Sequence, residues 1–156
     1  MGIKTLLVQR SPNEGDPNFT DSCCTQAKVI LMIVGTGVDI VEVARIKRLL
    51  EKHSPRFEEK IFTADEILYC RSKAEPGIHF AARFAVKEAV MKCLGTGMDQ
   101  GIAFRDIEVT NEKTGKPAIK MHGKGKAIFT RLKLETIHIS ISHDKNYAIA
   151  QAIAEA

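Results

Sequence analysis

The sequence predicts an α+β fold: a single compact domain in which a mixed antiparallel sheet packs with a long central helix. An apolar, β-branched run near residue 30 and alternating apolar residues near the C-terminus predict strands, and an Ala-rich segment between them predicts the helix. Strands and helices follow one another in mixed order, which favours α+β over a doubly wound α/β fold. With 156 residues, 44% of them hydrophobic and 27% charged, the chain has the size and composition of one globular domain.

The first predicted element is a buried strand over residues 28–40 that ends at Asp39. Its glycines, Gly35 and Gly37, invite a dinucleotide-binding interpretation. The third glycine of GxGxxG would fall at Ile40, however, so we reject a Rossmann site, and the chain has no P-loop motif. Asp39 is then a carboxylate at a strand end, where capping the next helix and binding a metal ion are both open.

Two further helices are predicted before the central one. Residues 42–53 have apolar residues at helical spacing. This helix carries a basic stripe on another face, made of Arg45, Arg48 and Lys52. Thr63 and Glu66 form a capping-box pattern that opens a short helix to about Arg71. The stripe is either a solvated face or a surface for an acidic partner.

The central helix is predicted from about Ile78 to Leu94, with Pro76 and Gly77 ending the preceding unit and Gly95 as a C-terminal stop. Later segments alternate in the manner of strands. We predict a hairpin of 102–110 with 117–121, a weak helix over 122–133, and a final antiparallel hairpin of 137–141 with 147–153.

Residues 1–31 differ in composition from the rest of the chain, because turn-forming residues are frequent there. The positive and negative charges of this segment cancel. The whole net charge of +4 therefore belongs to residues 32–156. Met32 stands directly before the strand-like run, so we predict that it is the natural initiator and that residues 1–31 are a non-native or disordered extension. A genuine regulatory arm is the alternative.

Composition excludes several classes of protein. Lys and Arg number 23 against 19 Asp and Glu, a mild excess that suits a phosphate-rich or acidic partner without requiring nucleic acid. The four cysteines show no zinc-type spacing, and we expect reduced thiols. No apolar run approaches the roughly 20 residues that span a bilayer, and the N-terminus resembles neither a secretory nor a transit signal. We expect a cytoplasmic protein with no membrane partner.

Glu88 is the second carboxylate with a candidate role in chemistry. On the central helix it lies on the same face as Phe84 and Met91, and a buried Glu is costly unless it has a partner. Mg²⁺ takes one or two carboxylates together with water and phosphates, so Asp39 is the natural second ligand. A surface pair of Glu88 with Lys92 at i,i+4 is an equally open alternative.

Basic and glycine-rich groups surround these acids in the sequence and indicate phosphate binding when taken together. Taken one at a time, each of them can be explained by a structural role, as a helix cap, a turn residue or a turn histidine. They are Arg83, Lys87 and Lys92 on the central helix, then Gly95, Thr96 and Gly97, then Lys116 and Pro117 of a GKP segment, and His143 of SISH.

These motifs closely resemble the short bacterial holo-acyl-carrier-protein synthases of the 4'-phosphopantetheinyl transferase superfamily. The resemblance rests on GTGVDIVEVARI, RFEEKIFTADE, HFAARFAVKEAVMKCLGTG, FRDIEV, GKP and SISHDKNYAIA in this order and spacing. It covers Met32 to the C-terminus. The most specific pair is GVDI with FAVKEAVMK about fifty residues later.

The resemblance implies transfer of 4'-phosphopantetheine from coenzyme A to a serine of acyl carrier protein in fatty acid biosynthesis, by a homotrimer with sites between protomers. Asp39 and Glu88 would hold Mg²⁺ and Lys92 would contact a phosphate. The coenzyme cleft would be lined by Arg83, Gly95, Thr96, Gly97, Lys116, Pro117 and His143.

The resemblance also gives the remaining roles. Because the serine nucleophile arrives on the partner, the chain needs a base and an electrophile activator but no nucleophile of its own. Glu88, directly or through metal-bound water, is the preferred base, and Asp39 through water stays open. The basic stripe, continued by Arg56, would bind the acidic carrier. The rival hypotheses are a small basic nucleic-acid-binding module and a Mg²⁺ nuclease, although no nucleic-acid-binding signature is present.

Overall fold

The structure is a computed structural model that describes residues 32–96 and 101–156. Predictions that concern residues 1–31 or Gly97 lie outside these described ranges. The elements run in the order β1 (Ile33–Glu42), α1 (Val43–His53), α2 (Arg56–Ile61), α3 (Ala64–Arg71), α4 (Pro76–Cys93), β2 (Ile107–Asn111), β3 (Pro117–Met121), α5 (Gly123–Arg131), β4 (Thr136–His143) and β5 (Tyr147–Glu155).

The predicted mixed sheet consists of two antiparallel sheets. One contains three strands in the order β1-β5-β4, and the other contains β2 and β3. The central helix α4 packs on β1 and β5, and both layers use small residues where they meet. Ala81, Ala85 and Ala89 of α4 are fully buried, as are the alternating alanines Ala148, Ala150, Ala152 and Ala154 of β5. Small side chains let helix and sheet approach closely, which places β1 against the helix backbone.

The prediction of a fully buried first strand is wrong. Only one face of β1 packs on α4, and the strand continues past Asp39 to Glu42. On its other face Val38 is 55% and Ile40 63% exposed. The continuous apolar run therefore reflects two apolar faces, of which this single chain covers one.

Two other boundaries also differ from the predictions. Pro76 opens α4 instead of ending the preceding unit, because proline lacks an N–H that the first helical turn does not need. Residues 102–106 are not strand. Phe104–Asp106 form a short 3-10 helix, which the Asp106 carboxylate stabilises by accepting a hydrogen bond of 3.1 Å from the Ala103 amide. The short helix 64–71 and its capping box are confirmed.

A buried ion pair connects α3, α4 and β2. The Lys87 ammonium lies 2.8 Å from Glu66 and also donates to the carbonyl oxygens of Phe104 and Ile107. The second oxygen of Glu66 accepts from the Val109 amide at 3.0 Å. Burial lowers the pKa of Lys87, and the charge of Glu66 opposes that shift. Lys87 is therefore part of the core, and its grouping with the phosphate-binding residues is wrong.

Candidate active site

The alternation of β1 directs Asp39 at α4. Gly35, Gly37 and Asp39 lie on the same face of the strand because side chains alternate with a period of two. A Cβ at Gly35 would lie 2.1 Å from the Cys93 carbonyl oxygen, and one at Gly37 would lie 2.0 Å from that of Ala89. Only glycine allows this approach. The GTG segment therefore brings the strand against the helix, and Asp39 is the next side chain on that face.

Asp39 meets Lys92 at the last turn of α4. The Lys92 ammonium is 2.9 Å from the Asp39 carboxylate and donates to the Val38 carbonyl oxygen at 3.0 Å. Lys92 thus takes Asp39 as its ion-pair partner in place of Glu88, its neighbour at i−4. The lysine side chain is 53% exposed, which leaves its remaining donor accessible to a ligand.

Glu88 lies within electrostatic reach of this pair. Burial raises the pKa of Glu88, and the negative charge of Asp39 raises it further, whereas Lys92 and Arg45 act in the opposite direction. Two carboxylates that repel each other in a partly desolvated place are a suitable donor set for a hard divalent cation. The described residues contain no group of three or more His, Cys, Asp or Glu side chains that could hold a metal ion, and this pair offers two carboxylate ligands. That number suits Mg²⁺, which keeps water and phosphate ligands.

A second group of predicted residues lines a cavity of about 200 Å³. Arg83 and His143 form part of its wall together with Pro117, Tyr69, His79 and Asn111. The Arg83 guanidinium stacks 3.9 Å from the centre of the Tyr69 ring and donates to Asn111 at 3.2 Å. Arg83 is 5% exposed, and its Nε is the only buried side-chain polar atom of the described residues that makes no hydrogen bond. Arg83 therefore places a buried cation in the wall of the cavity.

Sequence reasoning missed Tyr69, His79 and Asn111. A signal was available for His79, because it precedes Arg83 by four residues on α4 and so shares its face. No comparable signal exists for Tyr69 or Asn111, which reach the cavity from α3 and β2.

The two groups do not form one site within a single chain. Arg83 and Glu88 are five residues apart on α4, which separates them by about 7.5 Å along the axis and roughly 140° around it. The walls of the cavity include neither Asp39, Glu88 nor Lys92. The chain therefore presents two partial sites on different faces of the same helix.

The other predicted coenzyme ligands are dispersed. Lys116 is exposed and lines a groove of about 220 Å³ between β3 and β4, which also includes Pro117. Gly95 has a φ of 64° just after α4, the left-handed conformation that favours glycine at a helix C-terminus. Thr96 is buried.

The basic stripe begins beside the carboxylates. Arg45, Arg48 and Lys52 are exposed on α1, and Arg56 is exposed at the start of α2. Arg45 lies close enough to Glu88 to lower its pKa. The stripe therefore leads away from the Asp39 and Glu88 pair along α1.

Comparison with known proteins decides the family. A sequence model described as the 4'-phosphopantetheinyl transferase superfamily matches residues 35–152. The chain belongs to this superfamily. Among its transferase relatives, the holo-acyl-carrier-protein synthase of Koribacter versatilis is 47% identical over 80% of this chain and 99% of that protein. The synthase of Geobacter sulfurreducens is 44% identical over 80% and 98% of the two chains.

Solved structures agree with this phosphopantetheinyl transferase assignment. The holo-acyl-carrier-protein synthase of Neisseria meningitidis superimposes with a TM-score of 0.74 at 32% identity, covering 80% of this chain and all (100%) of that one. The Bacillus anthracis synthase, described in complex with CoA (3',5'-ADP), has a TM-score of 0.67 at 37% identity, covering 80% and 98%. The α+β fold and the enzyme class predicted from the sequence are confirmed. No helix in the described ranges is long and apolar enough to cross a membrane.

Proposed function

We propose that this chain transfers 4'-phosphopantetheine from coenzyme A to a serine hydroxyl of apo acyl carrier protein, with Mg²⁺, in fatty acid biosynthesis. The observation that carries the proposal is the convergence of Asp39, Glu88 and Lys92 where β1 meets α4. Two relatives are named holo-acyl-carrier-protein synthase, and the match to this chain covers nearly the whole length of each. Solved structures of further relatives are described in complex with coenzyme A.

Asp39 and Glu88 are the residues that would hold the cation, since they are two repelling, partly desolvated carboxylates. When bound, Mg²⁺ polarises the phosphoryl group and neutralises charge on the leaving group. Lys92 orients Asp39 through their 2.9 Å contact. Its remaining ammonium donor is suited to a phosphate oxygen of the substrate.

The reaction is a phosphoryl transfer that needs no nucleophile from this chain. The serine oxygen forms a bond to the phosphorus that carries the pantetheine arm, and the pyrophosphate P–O bond breaks. Adenosine 3',5'-bisphosphate leaves with that bonding pair, and the serine proton passes to a base. We assign this role to Glu88, which would act directly or through metal-bound water. Asp39 acting through water is the alternative.

A trimer with sites between protomers would unite the two partial sites. The exposed face of the three-stranded sheet supports this part of the proposal, because it holds an apolar patch on two adjacent strands. The patch comprises Val34, Val38, Ile40, Tyr147 and Ile149. In such an assembly the cavity around Arg83 and His143 of one protomer would complete the carboxylate site of its neighbour, and together they would hold one coenzyme.

The basic stripe is proposed as the docking surface for the acidic carrier protein. Arg45, Arg48, Lys52 and Arg56 are exposed and lead directly to Glu88. Charges at such a surface guide the encounter and set the register of docking. A carrier bound there would bring its serine to the carboxylate pair.

The test is mass spectrometry of apo acyl carrier protein incubated with the chain, coenzyme A and Mg²⁺. The carrier should gain the phosphopantetheine arm, and chelation of the metal by EDTA should stop the gain. A carrier that stays unmodified would refute the proposal.

Thermal-shift measurements distinguish the proposed transferase from the nucleic-acid alternatives, because coenzyme A with Mg²⁺ should stabilise the chain and oligonucleotides should not. A chain lacking residues 1–31 is expected to retain transfer.

A further inference from the structure

His79 occupies the cavity around Arg83 without a role in the function proposed above. Its ring centre is 5.6 Å from that of His143, at an interplanar angle of 72°, and both side chains line the cavity. The two imidazoles come from different elements, His79 from α4 and His143 from the end of β4. The cavity therefore contains a pair of titratable rings beside a buried guanidinium.

The side chains that face His79 carry either a positive charge or no charge. Arg83 follows on α4, and Lys73 lies between α3 and α4 with its ammonium 4.3 Å from the centre of the Tyr69 ring. The ring of Tyr69 itself is 6.1 Å from that of His79. From β2 the cavity receives the neutral side chain of Asn111, and from β3 and β4 it receives Pro117, Ile141 and His143. The walls of this cavity contain no carboxylate. The nearest acidic groups are Asp65 and Glu108, in an adjoining cavity that shares Arg83 and Tyr69, and Asp144, which interacts with His143.

This arrangement favours the neutral form of the His79 imidazole. Burial lowers the pKa of His79, and the charges of His143, Arg83 and Lys73 lower it further. A phosphate group placed in the cavity would reverse the electrostatic balance, because an anion near an imidazole favours the protonated ring. The protonated imidazole of His79 would then donate a charge-assisted hydrogen bond to the anion.

We propose that His79 is a further coenzyme-binding residue, and that a phosphate group of coenzyme A enters the His79–His143–Arg83 cavity with uptake of a proton. The inference rests on the proposed function for the identity of the ligand. It adds to that function a binding residue and a dependence of coenzyme affinity on pH. Affinity should fall as pH rises through the range in which the bound-state imidazole loses its proton.

The experiment is isothermal titration calorimetry of the full chain with coenzyme A in buffers of different ionisation enthalpy, which counts the protons taken up. Near pH 7 the wild type should take up a sizeable fraction of a proton, about half or more. The variant His79→Gln keeps hydrogen-bonding capacity but cannot titrate. It should bind more weakly and lose most of that uptake.

His79→Arg is the second variant, because it places a permanent cation in the cavity. It should retain coenzyme affinity at about pH 8 and flatten the dependence on pH. His53→Gln, at an exposed histidine at the end of α1, is the matched control and should leave the proton count unchanged.

Equal proton uptake by the wild type and His79→Gln, or an affinity for coenzyme A that does not change with pH, would overturn the inference. Neither result would affect the proposed transfer, which the mass of the carrier protein reports independently. If the chain binds coenzyme A in the calorimeter but modifies no carrier, the proposed function fails while the role of His79 can still be judged.

Discussion

At the scale of single residues, the ionised carboxylate of Glu88 lowers the stability of the fold and is also the form that its proposed catalytic role requires. Burial and the neighbouring charge of Asp39 raise its pKa, so the folded chain disfavours the ionised form. A group whose pKa is raised by folding contributes its full stabilisation below the unfolded pKa, and this contribution is lost as pH rises through the folded pKa. Function, in contrast, requires the ionised carboxylate. The site therefore retains an unfavourable charge that a neutral substitute would relieve.

Glu88→Gln should accordingly lower transfer activity by roughly 100-fold or more, while the Tm measured in EDTA stays equal to or above that of the wild type. Steady-state assays of carrier modification and thermal denaturation supply the two readings. Glu135→Gln, at an exposed position before β4, is the matched control and should change neither. Near wild-type activity in Glu88→Gln would show that Glu88 is not part of the active site.

At the scale of secondary-structure elements, the contact between β1 and α4 determines where Asp39 lies. Gly37 has no space for a side chain, since an added Cβ would meet the Ala89 carbonyl oxygen at 2.0 Å and the Cys93 amide nitrogen at 2.6 Å. Both contacts are with backbone atoms, which a rotamer change cannot relieve. Any larger residue must push the strand away from the helix.

Gly37→Ala should therefore destabilise the fold by about 2 kcal/mol or more and separate Asp39 from Lys92. Urea denaturation measures the first effect and transfer activity of the folded protein the second. Thr36→Ala changes the neighbouring position, whose side chain is exposed, and should leave the free energy of unfolding nearly unchanged. Full activity in a folded Gly37→Ala variant would show that the close approach does not position Asp39.

The basic stripe on α1 is proposed to bind the carrier protein and not the coenzyme. Arg48→Glu with Lys52→Glu should raise the KM for acyl carrier protein by about tenfold and leave the KM for coenzyme A nearly unchanged. Exposed charges act through a field that salt screens within about 8 Å at physiological ionic strength, so added salt should weaken carrier binding by the wild type as well. Kinetics with each substrate varied in turn give both constants.

The choice of Arg48 and Lys52 follows from the structure. Arg45 lowers the pKa of Glu88 through its charge, so its replacement should alter the chemical step as well as docking. Equal losses for both substrates in the Arg48 and Lys52 double variant, or no loss for the carrier, would mean that this stripe is only a solvated face.

At the scale of the whole molecule, the apolar patch on the three-stranded sheet and the two partial sites have a common explanation in the proposed trimer. Val38→Lys with Ile149→Lys should convert the assembly to monomers and abolish transfer together, because charges in the contact must be desolvated. Light scattering gives the mass and carrier modification gives the activity. Leu68→Lys replaces an apolar side chain that is 72% exposed on α3, and it should affect neither. A fully active monomer would contradict the shared site.

The sequence by itself determined the features that depend on neighbours along the chain. The capping box of Thr63 and Glu66, the amphipathic pattern of α1 and the long helix near 78–94 are local signals, and the structure contains each of them. The motif GVDI, with FAVKEAVMK, was sufficient to indicate the family. These features were predictable because backbone hydrogen bonds and side-chain periodicity act over a few residues.

Tertiary structure decided the partners of the charged side chains on α4. Charge and position in the sequence grouped Lys87 with Lys92, yet Lys87 is buried against Glu66 and Lys92 reaches Asp39 at the surface. The difference arises because β2 covers one side of the helix and the edge of β1 covers another. Tyr69 and Asn111 likewise join Arg83 only through packing. Contacts between residues tens of positions apart depend on how elements pack, which no local pattern of residues records.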